Sequence, residues 1–139
     1  MANNMFVPAE RPAALTLLVY SRSPGVARYL AAAAQRAGIV RTVVATTYQE
    51  AFEAMQSDDP DAVIIHADVR RWDQFFEARR VNKIWKSNRR RTPKIFAVAA
   101  PSVGDLTLVR HFGFYDIMPL PTCPGALFSR VTSALENLD

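Results

Sequence analysis

Few residues of this sequence have the types and spacing that catalysis needs. There are two histidines and one cysteine, which excludes a zinc site built from cysteine and histidine ligands and leaves Cys123 without a partner for an internal disulfide. His66 follows an apolar run, but no carboxylate is placed to orient it and no hydroxyl or thiol is placed for it to activate. We therefore expect His66 to be packed or hydrogen-bonded, and we predict no catalytic residue, metal site or cofactor.

The cationic residues are concentrated in one segment. Ten of the 17 lysines and arginines lie between Arg70 and Lys94, where only Asp73 and Glu77 oppose them, although the whole chain has a net charge of +4. Most of these cations are arginines, which favours bidentate recognition of carboxylate or phosphate groups. We use the name basic strip for nine of them: Arg70, Arg71, Arg79, Arg80, Lys83, Lys86, Arg89, Arg90 and Arg91.

Two interpretations of the basic strip remain open. It is either a solvated helix face with its following loop, or a docking site for an acidic protein surface, a cyclic dinucleotide or nucleic acid. Four aromatic residues lie among the cations: Trp72, Phe75, Phe76 and Trp85. Such residues can stack on nucleotide bases, but their spacing also suits the inward side of a helix, and we expect them to lie in the core.

Length and composition indicate one globular domain. The chain has 139 residues, of which half are apolar and 22% are charged, a size and balance that allow a core without disulfides or metals. No apolar run approaches the roughly 18 residues of a membrane span, and the first residues lack the pattern of a secretory signal. We expect a flexible tail over 1–13, a domain over 14–139, a cytoplasmic location and no membrane insertion.

Apolar runs and helix caps predict five strands that alternate with five helices. The strands are expected at 15–20, 40–46, 62–65, 95–98 and 116–118. Ser23 with Pro24 marks one helix start, Thr47 with Glu50 forms a capping box at another, and Gly38 marks a helix end. The third helix is expected over 72–85. Short connections then require crossovers and a parallel sheet covered on both faces. The predicted fold is a doubly wound, flavodoxin-like α/β sheet in the order 2-1-3-4-5.

The order of these segments resembles that of the receiver domains of bacterial two-component response regulators. The resemblance covers about residues 15–138 and rests on LLVYSRSP, DDPDAVIIH, TPKIFAVAA and HFGFYDIMPLP. In that family a phosphoryl group moves from a phosphohistidine to an aspartate at the end of the third strand, beside Mg²⁺ held by two acidic residues. A hydroxyl on the fourth strand and a lysine before the last proline complete the set.

The positions that would perform this chemistry hold unsuitable residues here. They are Ser21 and Arg22 at the acidic pair, His66 at the phosphoacceptor, Ala99 at the hydroxyl and Leu120 at the lysine. Asp68 is the carboxylate that remains nearby, but an alignment shifted to make it the acceptor still leaves Ser21, Arg22 and Leu120 unsuited. The resemblance therefore implies a degenerate receiver that is neither phosphorylated nor an enzyme.

Three arginines follow the first and third strands, at the edge where doubly wound folds bind ligands. They are Arg22, Arg70 and Arg71, and they offer a cationic pocket in place of an acidic one. We expect Arg22 to pair with Asp68 and hold this pocket shut. The alternative is a pocket that binds an anion.

The resemblance implies a signalling module of a bacterial pathway that acts by protein–protein interaction, with a partner that bears an acidic surface. Family members dimerise and signal through the fourth helix, fifth strand and fifth helix. The corresponding face here comprises Leu106, Val109, His111, Tyr115, Met118 and Leu120. An alternative function is a sensor that binds cyclic di-GMP through arginines, and nucleic-acid binding is a third.

Overall fold

Strands and helices alternate along the computed structural model, which describes residues 15–39, 41–68, 70–84 and 92–137. The strands are β1 (Thr16–Ser21), β2 (Arg41–Ala45), β3 (Ala62–His66), β4 (Lys94–Ala99) and β5 (Asp116–Leu120). The helices are α1 (Pro24–Arg36), α2 (Tyr48–Ser57), α3 (Trp72–Asn82), α4 (Val103–His111) and α5 (Pro124–Glu136). The predicted tail 1–13 lies outside the described residues, as do Trp85, Lys86, Arg89, Arg90 and Arg91.

The five strands form one parallel sheet in the order β2-β1-β3-β4-β5, which confirms the predicted doubly wound topology. Ser21 at the end of β1 lies opposite His66 at the end of β3. Ala99 at the end of β4 lies opposite Leu120 at the end of β5. The register therefore brings these four residues to the same edge of the sheet, where parallel strands deliver their carboxyl ends.

Both faces of the sheet are buried, which explains why the strands read as continuous apolar runs. One face packs on α1 and α5 and includes Leu17, Val19 and Ile64. The other packs on α2, α3 and α4 and includes Tyr20 and Ile65. Alternate residues of each strand thus enter different cores, and the central strands β1 and β3 contribute to both.

The helix boundaries follow the capping signals closely. Ser23 and Thr47 cap α1 and α2 as predicted, and Gly38 adopts a positive φ of 94° just after α1, a conformation that costs glycine least. The capping box at α2 differs in one bond. The carboxylate of Glu50 accepts from the backbone N–H of Thr46 at 2.8 Å, one residue before the N-cap Thr47.

Two boundaries differ from the prediction. α3 ends at Asn82, three residues before the predicted end, and β5 continues two residues further, to Leu120. Pro119 is tolerated in β5 because this strand lies at the edge of the sheet and its outer side needs no ladder hydrogen bond. Within the described ranges, no helix is both long enough and apolar enough to cross a bilayer.

Candidate functional site

A cleft of about 310 Å³ lies at the carboxyl ends of β3 and β4 and at the start of α1. We call it the strand-end cleft. His66, Asp68, Arg70 and Ala99 contribute to its lining. It occupies the edge at which the resemblance implies phosphoryl transfer, so the partners of its polar groups decide what chemistry it can support.

Ser21 and His66 are hydrogen-bonded to each other beside the strand-end cleft. The buried hydroxyl of Ser21 lies 2.8 Å from Nδ1 of His66 and accepts the backbone N–H of Ser23 at 3.0 Å. Burial lowers the pKa of His66, against an opposing effect of the Asp68 charge, so the imidazole is neutral at pH 7. The expectation that His66 is hydrogen-bonded is confirmed, and Ser21 Oγ already has two partners within the domain.

Arg22 points away from the strand-end cleft, towards α3. Its guanidinium lies 3.2 Å from Asp73 and 3.5 Å from Glu77. The predicted pair of Arg22 with Asp68 is therefore wrong. Asp73 and Glu77 are four residues apart on α3, so their carboxylates lie on one side of the helix. The guanidinium of Arg22 thereby contacts two carboxylates, whereas a pair with Asp68 would provide one.

Glu77 also ties α3 to the core of the sheet. Its carboxylate accepts a hydrogen bond from the hydroxyl of Tyr20, a side chain that is almost completely buried. Burial and, after it, the hydrogen bond to Glu77 raise the pKa of Tyr20. Tyr20, Glu77 and Arg22 thus form a chain of polar contacts from the sheet interior to the surface, which fixes the position of Arg22.

Asp68 is engaged by its neighbour in the loop after β3. Its carboxylate accepts the backbone N–H of Arg70 at 3.0 Å and lies 3.5 Å from Nε of the same residue. The backbone hydrogen bond from Arg70 lowers the pKa of Asp68, so the group is ionised at pH 7. Arg71 in turn lies 3.7 Å from Asp73. The three arginines predicted to make a cationic pocket are instead compensated by nearby carboxylates.

The phosphorylation set is the five positions at which the resemblance implies phosphoryl-transfer residues: Ser21, Arg22, His66, Ala99 and Leu120. The last two of these offer no polar side chain. Ala99 has a methyl group where the resemblance implies a hydroxyl, and Leu120 has an apolar side chain where it implies an amine. The peptide bond between Leu120 and Pro121 is cis. Neither residue can compensate the charge of a phosphoryl group at this edge of the sheet.

These residues do not fit the Mg²⁺ ion that the resemblance implies. Magnesium sites use carboxylate oxygens in octahedral arrangement, whereas here the acidic pair is replaced by an occupied hydroxyl and a guanidinium. In the described part of the chain, no group of three or more His, Cys, Asp or Glu side chains could hold a metal ion. Asp68 is the one carboxylate that lines the strand-end cleft, and Arg70 already engages it.

Most of the described members of the basic strip lie on α3 or next to its ends. Arg70 is the member that lines the strand-end cleft. The guanidinium of Arg79 lies 3.9 Å from the ring centroid of Phe112, and that of Arg80 lies 4.0 Å from the ring centroid of Tyr48. Both are cation–π geometries. The planar faces of these two arginines are therefore covered by rings on neighbouring elements.

The aromatic residues of α3 divide between the core and the surface. Phe75 is buried, as predicted, with its ring edge-on to those of Phe96 and Phe112. The prediction is wrong for Trp72 and Phe76, which are 72% and 52% exposed. At about 100° per residue, the buried side of α3 is filled by Phe75 and the residues three and six further on, which turns Trp72 and Phe76 outwards.

The predicted face of α4, β5 and α5 is only partly accessible. Val109 and Met118 are buried in the two cores, so the prediction that they contact a partner is wrong. Each lies on the inward side of its element, so the face that the resemblance implies includes residues that belong to the core here. His111 is exposed, and the other three members are half-buried: Leu106, Tyr115 and Leu120.

Two comparisons by sequence give no relative. No family model matches the chain, and no curated protein matches it.

Sequence reasoning missed Asp73 and Glu77 as partners of Arg22. The one signal that these two residues left is their four-residue spacing beside a run of cations.

Solved structures do show the fold. A protein assigned as a response regulator from Chloroflexus aurantiacus is similar with a TM-score of 0.70 and 23% identity, covering 88% of this chain and 98% of that one. A protein assigned to pilus assembly from Burkholderia pseudomallei gives 0.67 and 16%, covering 94% and 96%. A response regulator from Thermotoga maritima gives 0.65 and 20%, covering 88% and 98%. The chain has the fold of response-regulator receiver domains.

Proposed function

We propose that this protein is a receiver-like signalling module that is not phosphorylated and that acts by binding a protein partner. The observation that carries the proposal is the 2.8 Å contact between Ser21 Oγ and His66 Nδ1. It occupies two positions of the phosphorylation set with a pair of neutral groups that satisfy each other. The phosphoryl transfer that the resemblance implies uses a carboxylate as the nucleophile, and neither a hydroxyl nor an imidazole is one.

Charge compensation supports the same proposal. Phosphoryl transfer builds charge on the phosphoryl oxygens that a metal ion and cationic side chains must offset. Arg22, which follows β1 at this edge, is held by Asp73 and Glu77, and Leu120 provides no charge. Asp68 would receive a dianionic group without a metal ion or a lysine, beside an Arg70 that already pairs with the carboxylate.

Regulation of such a module comes from association rather than from covalent modification. In this proposal the protein works in the cytoplasm of a bacterium, and its partner presents an acidic surface to the basic strip. Dimerisation through the accessible members of the α4, β5 and α5 face belongs to the same proposal. Binding of cyclic di-GMP at the strand-end cleft has less support, because Asp68 and Asp73 already engage Arg70 and Arg71.

The test is incubation of the protein with acetyl phosphate and Mg²⁺, followed by intact-protein mass spectrometry. We expect the mass to remain unchanged, while a phosphorylatable receiver treated in parallel gains one phosphoryl group. The Asp68→Asn variant is the matched control. Stoichiometric, hydroxylamine-sensitive phosphate on the wild-type protein that is absent from Asp68→Asn would refute the proposal.

A further inference from the structure

The outward side of α3 presents an aromatic surface that the core of the domain does not use. Trp72 and Phe76, one helical turn apart, are the most exposed aromatic residues in the described part of the chain. Their ring centroids are 5.6 Å apart with the planes tilted by 38°. Exposed apolar side chains normally occur singly, so two large rings in mutual contact form a patch that a partner can cover.

Three cations continue this line towards the end of α3. They are Arg79, Arg80 and Lys83, which follow Phe76 within two helical turns. Phe112 and Tyr48 each cover a face of these guanidinium groups, and Nε of Arg79 is buried. The terminal nitrogens of the half-buried Arg79 and the N–H edge of the exposed Arg80 are what remains for a partner. A guanidinium held in this way is pre-oriented for bidentate hydrogen bonds to a carboxylate.

The carboxylates of α3 are paired with other side chains, so their charges do not oppose the three cations. Asp73 pairs with Arg22 and Arg71, and Glu77 pairs with Arg22 and accepts from Tyr20. The helix surface is consequently divided into an aromatic half near its start and a cationic half near its end. At about 1.5 Å per residue the two halves are about 11 Å apart along the helix, from Trp72 to Arg79.

We propose that this α3 face, defined by Trp72, Phe76, Arg79, Arg80 and Lys83, binds an acidic amphipathic segment of a partner protein. Apolar side chains of the segment cover the two rings, and carboxylates one to two turns away bind the arginine edges. Tryptophan and arginine are the residues that most often dominate such interfaces. The inference rests on the proposed function, since it names the surface through which the module binds its partner.

The geometry favours a protein segment over nucleic acid. The rings of Trp72 and Phe76 are tilted against each other and leave no parallel slot for a base. The arginine faces, which stack on bases in nucleic-acid complexes, are occupied by Phe112 and Tyr48.

The experiment measures binding of the full chain to three fluorescein-labelled probes of equal length by fluorescence anisotropy. The first is a 15-residue helical peptide of glutamates and leucines with the leucines at positions i, i+3, i+4 and i+7. The second replaces every glutamate by lysine, and the third is a thymidine oligonucleotide. We expect only the acidic peptide to bind, and its affinity to fall as salt is raised.

Variants then locate the binding surface. Trp72→Ala and the double variant Arg79→Gln with Arg80→Gln should each weaken the acidic peptide on the order of tenfold or more, because central aromatic and arginine contacts dominate interfaces. The matched controls are Val103→Ala, whose side chain is 83% exposed on α4, and Arg28→Gln with Arg36→Gln on α1. These controls should bind as the wild type does, and all variants should remain folded by circular dichroism at the temperature of the binding measurement.

Three results overturn the inference: no binding of the acidic peptide, equal or tighter binding of the basic peptide or the oligonucleotide, or unchanged affinity in the Trp72→Ala and arginine variants. None of these results bears on whether Asp68 accepts a phosphoryl group. Failure here is thus distinguishable from failure of the proposed function, which the acetyl phosphate experiment detects.

Discussion

The strand-end cleft and the α3 face differ in how their polar groups are used. In the cleft the polar side chains satisfy one another, as Ser21 does with His66 and Asp68 does with Arg70. On the α3 face Arg79 and Arg80 pack against aromatic rings, Nε of Arg79 has no hydrogen-bond partner, and two solvent-exposed rings lie nearby. Location at the ligand-binding edge of a fold is thus insufficient for a site, because the groups there also need unused hydrogen-bonding capacity.

Arg22 connects the two regions. It leaves the end of β1 and pairs with Asp73 and Glu77 on α3. These contacts hold the guanidinium of Arg22 away from the cleft. They also compensate the charges of the two carboxylates of α3. The loss of a cation from the cleft and the cationic character of the outward helix face are therefore consequences of one set of ion pairs.

The largest expected effect comes from breaking the strand that supports both regions. Ile64 is fully buried on β3, which ends at His66 and leads into α3. Ile64→Asp buries a carboxylate without a partner and should cost several kcal/mol of a typical stability of about 5–15 kcal/mol. Urea and thermal denaturation followed by circular dichroism measure the loss of stability. Val44→Asp, at a partly exposed position of the edge strand β2, is the control and should remain folded; an unchanged melting curve for Ile64→Asp would contradict the assignment of β3.

A smaller loss of stability is expected when the hydrogen bonds beside the strand-end cleft are removed. Ser21→Ala removes the acceptor of the Ser23 N–H and the hydroxyl bonded to His66. Leaving such groups without partners costs about 1–3 kcal/mol, measurable as a lower free energy of unfolding in urea. The exposed Ser57→Ala on α2 is the matched control, with an expected change within about 0.5 kcal/mol. Equal stability of the two variants would mean that the contact between Ser21 and His66 contributes nothing.

Stability should also depend on pH through His66. Its pKa is lower in the folded protein than the ordinary value of 6.5 because of burial, so the unfolded chain binds the proton more readily. The contribution is fully present above about pH 7.5 and is lost as pH falls through about 6.5 towards the folded pKa. In His66→Gln this part of the pH dependence should disappear, whereas the exposed His111→Gln should retain it. A wild-type stability that rises between pH 7.5 and pH 5.5 would be the opposite of this expectation.

The smallest expected change in stability is at the α3 face. Trp72→Ala should alter the free energy of unfolding by no more than about 0.5 kcal/mol, since the side chain is mostly solvated. Phe75→Ala, three residues further along α3 and in the buried cluster, should cost about 3–5 kcal/mol. Thermal melting of the two variants side by side makes the comparison. A large loss in Trp72→Ala would show that the ring stabilises the domain instead of serving a partner.

The fold was accessible from the sequence because its signals are local. Buried parallel strands read as short apolar runs, and residues such as Ser23 and Gly38 mark helix ends through their own backbone hydrogen bonds and dihedral angles. The strand order follows from these elements and the rules for crossover connections. Only details such as the end of α3 and the length of β5 departed from expectation.

The candidate site was less accessible because its contacts are distant in sequence. Arg22 and Glu77 are 55 positions apart, and the four-residue spacing of Asp73 and Glu77 indicates a shared helix side but not which cation lies within reach. The periodicity of α3 identified Phe75 as a core residue, but the exposure of Trp72 and Phe76 depends on which elements cover the helix. Composition therefore predicted a basic segment, whereas only the packing of α3 separates its aromatic and cationic halves.

The central claim is that the strand-end cleft binds neither Mg²⁺ nor a phosphoryl group. The most direct measurement is a ¹⁵N–¹H correlation spectrum of the full chain, recorded first with Mg²⁺ and then with beryllofluoride, which mimics a phosphoryl group on a carboxylate. We predict that the amide signals of Ser21, His66, Asp68 and Ala99 stay unchanged through both additions. Saturable shifts of these signals that require both Mg²⁺ and beryllofluoride would contradict the account and identify Asp68 as a working acceptor.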